Sequence, residues 1–190
     1  ARDPLSDVMV DPVISLAAAL VLAWVLVAAG LHKFRNPVHF AATLDAYALV
    51  PAVLVPFVGG VLPFVEVIAG SAILLPVARE PAGVAAAAIL SIYTLAIAIN
   101  LARGRRGIDC GCGDPAQRQP LSGFLLLRNG TLVGMALLCA LPAVERGAGR
   151  LDVAVAILAA VTAVLFYTAG NQLLANRELL ANLGSSHGPA

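Results

Sequence analysis

The sequence has little charge and few aromatic residues. Charged residues make up 12% of the 190 positions, against about a quarter in soluble domains. The 12 Lys and Arg are almost matched by 11 Asp and Glu, so the chain lacks the basic field that attracts a polyanion. Only 5% of residues are aromatic, which leaves few platforms for stacked bases. These shortages argue against a water-soluble enzyme, a disordered chain and a nucleic-acid binder. The 60% of hydrophobic residues predict a polytopic membrane protein.

Five apolar segments are long enough, or nearly so, to cross a bilayer, which takes about 20 residues in a helix. They cover about residues 12–31, 52–77, 82–102, 121–144 and 151–170. We expect the first segment to be retained rather than cleaved as a signal peptide. The acidic residues Asp3, Asp7 and Asp11 precede it, where a signal peptide has basic ones.

The five spans predict an all-α fold, a polytopic transmembrane helical bundle with a four-helix core. We expect a single transmembrane domain over residues 1–171. Residues 172–190 are predicted to be a tail that is partly disordered.

A surface helix is predicted in the link between the first two spans. Asn36 is expected to cap it, and Pro37 suits a first helical turn. Phe40, Leu44 and Tyr47 then fall on one face at helical spacing. Such a face is typical of a helix that lies in the membrane interface.

The longest link, residues 103–120, contains the sequence DCGCGD at residues 109–114. Cys110 and Cys112 are separated by one glycine and can close a small disulfide ring, because their α-carbons lie near the usual separation of about 5.5–6 Å. Glycine tolerates the backbone angles of such a ring, and a strained disulfide is easily reduced. Nearby cations, Arg103 among them, would stabilise a thiolate. The sequence therefore favours Cys110 and Cys112 as a catalytic redox pair.

Three other interpretations of this pair stay open: a metal site, a structural staple of the loop, and a pair without a role. A structural metal needs about four ligands. Beyond the pair, the further Cys and His residues of the chain are His32, His39, Cys139 and His187. Cys139 lies well inside the fourth span, so we expect it to pack as a small hydrophobic residue. The sequence predicts no metal site.

Three of the charged residues within or beside the spans are candidate functional residues. Glu66 is expected near the middle of the second span, where an ionisable group is costly and marks a functional site. The alternative is a protonated carboxyl that hydrogen-bonds a neighbouring helix. Arg128, in the fourth span, is a partner for Glu66 by sign alone. Lys33 is expected to extend to the lipid headgroups, with a catalytic role as the alternative.

Five crossings place the long loop and the tail on the face where the first span ends. That face carries eight cations and the opposite face four. The eight are Lys33, Arg35, Arg103, Arg105, Arg106, Arg118, Arg128 and Arg177. By the positive-inside rule, this excess places the long loop in the cytoplasm.

Several motifs, taken in order, resemble the methylamine-utilisation MauE family within the wider DoxX-like membrane proteins. They are GLHKF at residues 30–34, PFVE at 63–66, NLARG at 100–104, DCGCG at 109–113 and LRN at 127–129. The resemblance covers about residues 15–140. The Cys-Gly-Cys sequence is its most specific part. The family often continues with Phe-Gly, where this chain has Gly113 and Asp114.

The resemblance implies an integral membrane protein that is associated with thiol redox chemistry or with the maturation of secreted proteins. In methylamine users the family is needed to mature the small subunit of methylamine dehydrogenase, beside a thioredoxin-like partner. The resemblance also implies thiols that work at the outer face of the cell membrane. The charge count instead places the long loop in the cytoplasm, so the side of the loop stays open.

Three functional hypotheses follow. In the first, Cys110 and Cys112 exchange electrons with a thioredoxin-like partner, with a quinone as the membrane-side acceptor or donor, although no motif marks a quinone site. In the second, the chain is a non-enzymatic assembly factor or a subunit of a larger membrane complex. The third is a small transporter or proton relay around Glu66, and the absence of paired broken spans counts against it.

Overall fold

The computed structural model describes residues 9–111, 119–144, 146 and 149–185, with 177–185 described by their backbone alone. Six α-helices occupy this part of the chain. They are α1 (Pro12–Arg35), α2 (Pro37–Tyr47), α3 (Val55–Ala72), α4 (Arg79–Ala102), α5 (Gly123–Ala140) and α6 (Arg150–Ser185). Short 3-10 helices, Ala52–Leu54 and Pro76–Ala78, precede α3 and α4. The all-α prediction is confirmed.

Five helical segments are long and apolar enough to cross a membrane. They are Pro12–Arg35, Ala52–Ala72, Pro76–Ala102, Gly123–Ala140 and Arg150–Asn176. The five predicted spans are therefore confirmed, with shifted ends. The second span ends earlier than predicted, because Leu75 is extended (φ −83°, ψ 121°) before Pro76. The last helix continues to Ser185, so most of the predicted tail is part of α6. Residues 186–190 lie outside the described residues.

The core lies where α1 packs against α3 and α5, and where α4 packs against α5. Leu22, Leu26 and Ile73 are almost fully buried there. Small residues let the helix backbones approach closely, as is usual in membrane bundles. A Cβ atom added to Gly83 of α4 would lie 2.7 Å from the backbone nitrogen of Ala140. The close contact between α4 and α5 therefore requires glycine, which has no side chain, at position 83.

Helix α2 forms where the sequence predicted a surface helix, but its apolar face is covered by protein. Phe40, Thr43 and Tyr47 are buried, so the prediction that this face lies in the membrane interface is wrong. Asn36 occupies the N-cap position, yet its side chain makes no capping hydrogen bond. With its inner face packed inward, α2 covers the end of the bundle where the long loop begins.

The long loop leaves α4 through a tight backbone turn. Gly104 adopts φ +75° and its N–H donates to the carbonyl of Leu101 at 3.0 Å. The N–H of Arg105 donates to the carbonyl of Asn100 at 2.9 Å. This pair of bonds is the Schellman motif, which favours glycine at the left-handed position. It turns the chain back over the end of the bundle.

Candidate functional site

A buried ion pair joins α1 to α3. The ammonium of Lys33 contacts Oε1 of Glu66, and the side chains are 3% and 0% exposed. The hydroxyl of Tyr93, on α4, donates to the same Glu66 oxygen at 2.6 Å. The Lys33 ammonium also lies 3.5 Å from the Tyr93 hydroxyl. Three spanning helices therefore share one polar cluster, which offsets the cost of burying two charges.

Two predictions about this cluster are wrong. Lys33 does not extend to the headgroups, because side chains on a helix lean towards its N-terminus and that direction leads into the bundle from the end of α1. The partner of Glu66 is Lys33 rather than Arg128. The second carboxylate oxygen of Glu66, Oε2, is buried and has no hydrogen-bond partner in the described part of the chain.

Arg128 lies against the sulfur of Cys110 instead. Its Nη2 is 3.6 Å from Cys110 Sγ. Its Nη1 donates to the amide oxygens of Gln119 at 3.1 Å and Asn171 at 2.9 Å. The guanidinium also lies over the ring of Tyr167, 5.4 Å from its centre. Residues of the loop, α5 and α6 thus fix a buried cation beside one sulfur of the predicted pair.

The backbone around Cys110 is held where the two ends of the long loop pair with each other, at residues 108–110 and 119–121, which we call the neck of the loop. The N–H of Cys110 donates to the carbonyl of Gln119 at 2.9 Å, and the N–H of Leu121 donates to that of Ile108 at 3.1 Å. The hydroxyl of Tyr47 lies 3.4 Å from the carbonyl oxygen of Cys110. Cys110 itself is 7% exposed. The sulfur is therefore part of a fixed wall.

Helix α2 adds side chains to this neck. His39 Nε2 lies 3.2 Å from Asp109 Oδ2, and Asp109 Oδ1 accepts from the N–H of Gln119 at 3.0 Å. Gly111 adopts φ +70°, and a Cβ atom there would lie 2.8 Å from Cγ2 of Thr43. Glycine is therefore required next to Cys110 both by its backbone angles and by the closeness of α2.

Arg103, predicted to support the thiolate, is exposed at the end of α4. Arg105 points back to the bundle instead, and its Nη1 donates to Asn100 Oδ1 at 3.2 Å and lies 3.4 Å from the carbonyl of Tyr47. Of these guanidinium groups, the one that reaches Cys110 Sγ is that of Arg128.

The other predicted residues divide into two groups. Cys112, Asp114 and His187 lie outside the described residues. Cys139 is fully buried in α5, and its sulfur lies 3.7 Å from the carbonyl of Ser15, so its predicted packing role is confirmed. Among the described residues, no group of three His, Cys, Asp or Glu side chains could hold a metal ion.

Sequence reasoning assigned no role to the polar residues that complete these clusters, although Asn100 and Asn129 stand in the motifs NLARG and LRN. Tyr93 and Asn100 lie within an apolar span, and Asn129 and Asn171 lie in or beside two others. Asn100 is fully buried and its amide donates to the carbonyl of Tyr47 at 3.2 Å. The available signal was the presence of such side chains in apolar helices, where a buried polar group needs a partner.

A cavity of about 550 Å³ lies between α2, α3 and α4. Lys33 and Tyr93 line it, and so do Cys110 and Gly111. The ion-pair cluster and Cys110 therefore border a common space. Sequence spacing gave no sign of this, because five separate segments contribute to the wall.

Burial also changes the meaning of the charge count. Lys33 and Arg128 are bonded inside the bundle and do not act as free surface cations. Without them, six cations remain on the loop face against four on the other. This removes much of the charge bias that placed the long loop in the cytoplasm.

Comparison with known proteins identifies the family. The family described as "Methylamine utilisation protein MauE" matches residues 11–142. The chain is 36% identical over 171 residues to the methylamine utilization protein MauE of Paracoccus denitrificans, covering 89% of this chain and 91% of that protein. It is 35% identical over 166 residues to the MauE protein of Methylophilus methylotrophus, covering 86% and 87%.

No solved structure matches the chain significantly. The family match extends over most of the spans, and the relatives are covered nearly end to end. This multi-pass membrane protein therefore belongs to the MauE family.

Proposed function

We propose that this protein is a thiol–disulfide exchange protein of the cytoplasmic membrane. Its Cys110–Cys112 pair would oxidise a thioredoxin-like partner and so support the maturation of a redox enzyme such as methylamine dehydrogenase. The relatives are named for methylamine utilisation, which supports that setting. The observation that carries the proposal is the guanidinium of Arg128, 3.6 Å from a buried cysteine sulfur.

The contact with Arg128 supports an oxidising role. A cation beside a cysteine stabilises its thiolate. A disulfide whose reduced form is stabilised in this way is a stronger oxidant. The buried sulfur of Cys110 is also shielded from a folded protein partner. We therefore assign the exchange with the partner to Cys112 and the role of leaving thiolate to Cys110.

The exchange balances in two steps. A thiolate of the partner attacks Cys112 in the Cys110–Cys112 disulfide, which forms a mixed disulfide and releases Cys110 as a thiolate beside Arg128. The partner's second thiolate then attacks its own sulfur in the mixed disulfide and releases Cys112. The partner loses two electrons and gains a disulfide, while this protein is left with two reduced cysteines.

The test is oxidation of a reduced thioredoxin-like protein by the purified, oxidised membrane protein. Cys110→Ser and Cys112→Ser should each abolish it, whereas Cys139→Ser, also buried but remote from the loop, should retain it. When the partner is supplied in its disulfide form instead, Cys112 of Cys110→Ser should attack that disulfide, release one partner thiolate and accumulate as a mixed disulfide, because Cys110 is not there to displace the partner. Full oxidation by the double Cys110→Ser/Cys112→Ser variant would overturn the proposal and favour a non-enzymatic assembly factor.

A second pair of variants tests the role of the cation. Arg128→Gln should slow alkylation of the reduced pair at neutral pH by about ten-fold or more, because less thiolate is present. Arg103→Gln removes an exposed guanidinium from the same face and serves as the matched control, with no expected change. Equal alkylation rates in the two variants would contradict the role of Arg128.

A further inference from the structure

The cavity between α2, α3 and α4 has the properties of a binding site for a lipid-soluble molecule. Its volume of about 550 Å³ falls in the range of small-molecule sites, about 300–1,000 Å³. Aliphatic and aromatic side chains form most of the wall, among them Leu44, Val58, Leu62 and Ile97. A largely apolar wall of this kind favours a hydrophobic occupant.

The polar end of the cavity favours a neutral ligand with a carbonyl oxygen. Lys33 is the only cation among the described lining residues, and its charge is balanced by Glu66. This balance disfavours a phosphate-bearing cofactor. The ammonium has three N–H donors, and the oxygens it contacts are those of Glu66 and Tyr93. Among the described residues these oxygens account for two of the three donors, so the third is available to an oxygen of the ligand.

The cavity is flanked by residues that face the bilayer. Ile92 and Leu95 line it, and they expose 64% and 61% of their surface within a spanning segment. In a membrane that surface contacts lipid. A ligand dissolved in the bilayer therefore has a lateral path between the helices, whereas a water-soluble ligand would have to cross apolar surface.

We propose that this cavity binds a quinone of the membrane, which reoxidises the Cys110–Cys112 pair. The inference rests on the proposed exchange function, because each cycle leaves two reduced cysteines that need a two-electron acceptor. Cys110 lines the same cavity as Lys33. The quinone ring would lie between them, with a carbonyl oxygen accepting from the Lys33 ammonium.

The electron balance of this step is complete. The two thiols of Cys110 and Cys112 lose two electrons and two protons as the sulfur–sulfur bond forms. The quinone gains two electrons and two protons and leaves as the quinol. A cation at a carbonyl oxygen stabilises the negative charge that develops there during reduction, which fits the position of Lys33.

Binding is tested with a photoreactive azido-ubiquinone on the full-length protein in phosphatidylcholine nanodiscs. Labelled peptides should map to residues 40–50 or 92–99, and decylubiquinone should compete. Ala96→Phe fills the cavity from its wall and should weaken labelling by about ten-fold or more, with Ala96→Leu intermediate. Ala88→Phe places the same side chain on an exposed part of α4 and should leave labelling unchanged.

Two results would overturn the quinone site. One is labelling that Ala96→Phe does not reduce. The other is occupation by a phospholipid chain, in which a photoreactive phosphatidylcholine labels the same peptides and decylubiquinone does not displace it. Cys110→Ser should still be labelled, because binding does not require the thiol. Wild-type protein that is labelled but does not oxidise its partner would therefore refute the exchange function and leave the quinone site intact.

Turnover provides the second measurement. The reduced protein should convert decylubiquinone to the quinol, and Ala96→Phe should slow this step. The same variant, once oxidised chemically, should still oxidise the thioredoxin-like partner at the wild-type rate. Quinone reduction at an unchanged rate in Ala96→Phe would show that electrons do not pass through this cavity.

Discussion

Removing one member of the Lys33–Glu66 pair should destabilise the bundle strongly, while removing both should not. The two side chains are 3% and 0% exposed, so either single change leaves a buried, uncompensated charge. Breaking a buried pair from one side costs about 3–5 kcal/mol. We expect a loss of this size for Lys33→Met and for Glu66→Leu. The double variant should recover to within about 1–2 kcal/mol of the wild type, because apolar residues of similar volume replace both charges.

The free energy of unfolding of all four proteins should be measured in the same detergent micelles, so that a double-mutant cycle can be constructed. The coupling energy of the cycle reports the pair directly. Tyr93→Phe adds a third comparison, since it removes a hydrogen bond to a carboxylate worth about 1.5–3 kcal/mol. If the losses of the two single variants simply add in the double variant, the ion pair does not act as a unit.

Two further predictions concern the opposite end of the bundle. Gly83→Ala should destabilise the protein by about 1–3 kcal/mol, because its Cβ would meet the backbone of α5. Gly134→Ala, with open space around it, should change the unfolding free energy by less than about 1 kcal/mol, and equal effects would contradict the close approach. The hydrogen bond from Arg146 to Asp11 holds the pKa of that carboxyl below its usual value of 3.8. The stability that this bond contributes is therefore present above pH 3.8 and is lost as the pH falls below that value. In acid titrations, the difference in unfolding free energy between the wild type and Asp11→Asn should therefore shrink. A constant difference would contradict the ion pair.

The spans could be predicted from the sequence because the bilayer demands uninterrupted apolar helices, and composition reports this directly. Their ends were harder to predict, since they depend on local turns such as the extended residue before Pro76. The importance of Glu66 and Arg128 was visible as charge within apolar runs. Their partners were not, because sequence position gives neither the direction of a side chain nor the packing of distant helices.

Lys33 illustrates the limit most clearly. Its place two residues before the end of α1 suggested contact with headgroups, and the rule for long cationic side chains supports that interpretation. The rule assumes an outward-facing position. In the bundle, α2 folds over this end through Phe40 and Tyr47 and closes the route to the headgroups. Because α2 covers this end of the bundle, Lys33 of α1 is a buried partner of Glu66 rather than a contact of the headgroups.

Backbone hydrogen bonds across the neck of the long loop hold the main chain of Cys110 in place. We therefore expect the neck to persist in both redox states, so that Arg128 and the cavity remain beside Cys110 throughout the cycle. Amide hydrogen exchange in nanodiscs should find Cys110 and Leu121, whose N–H groups are bonded across the neck, equally protected before and after reduction. Loss of protection on reduction alone would mean that the disulfide holds the neck closed. Cys110 would then leave Arg128 when it is needed as a thiolate, and the proposed oxidising role would lose its physical basis.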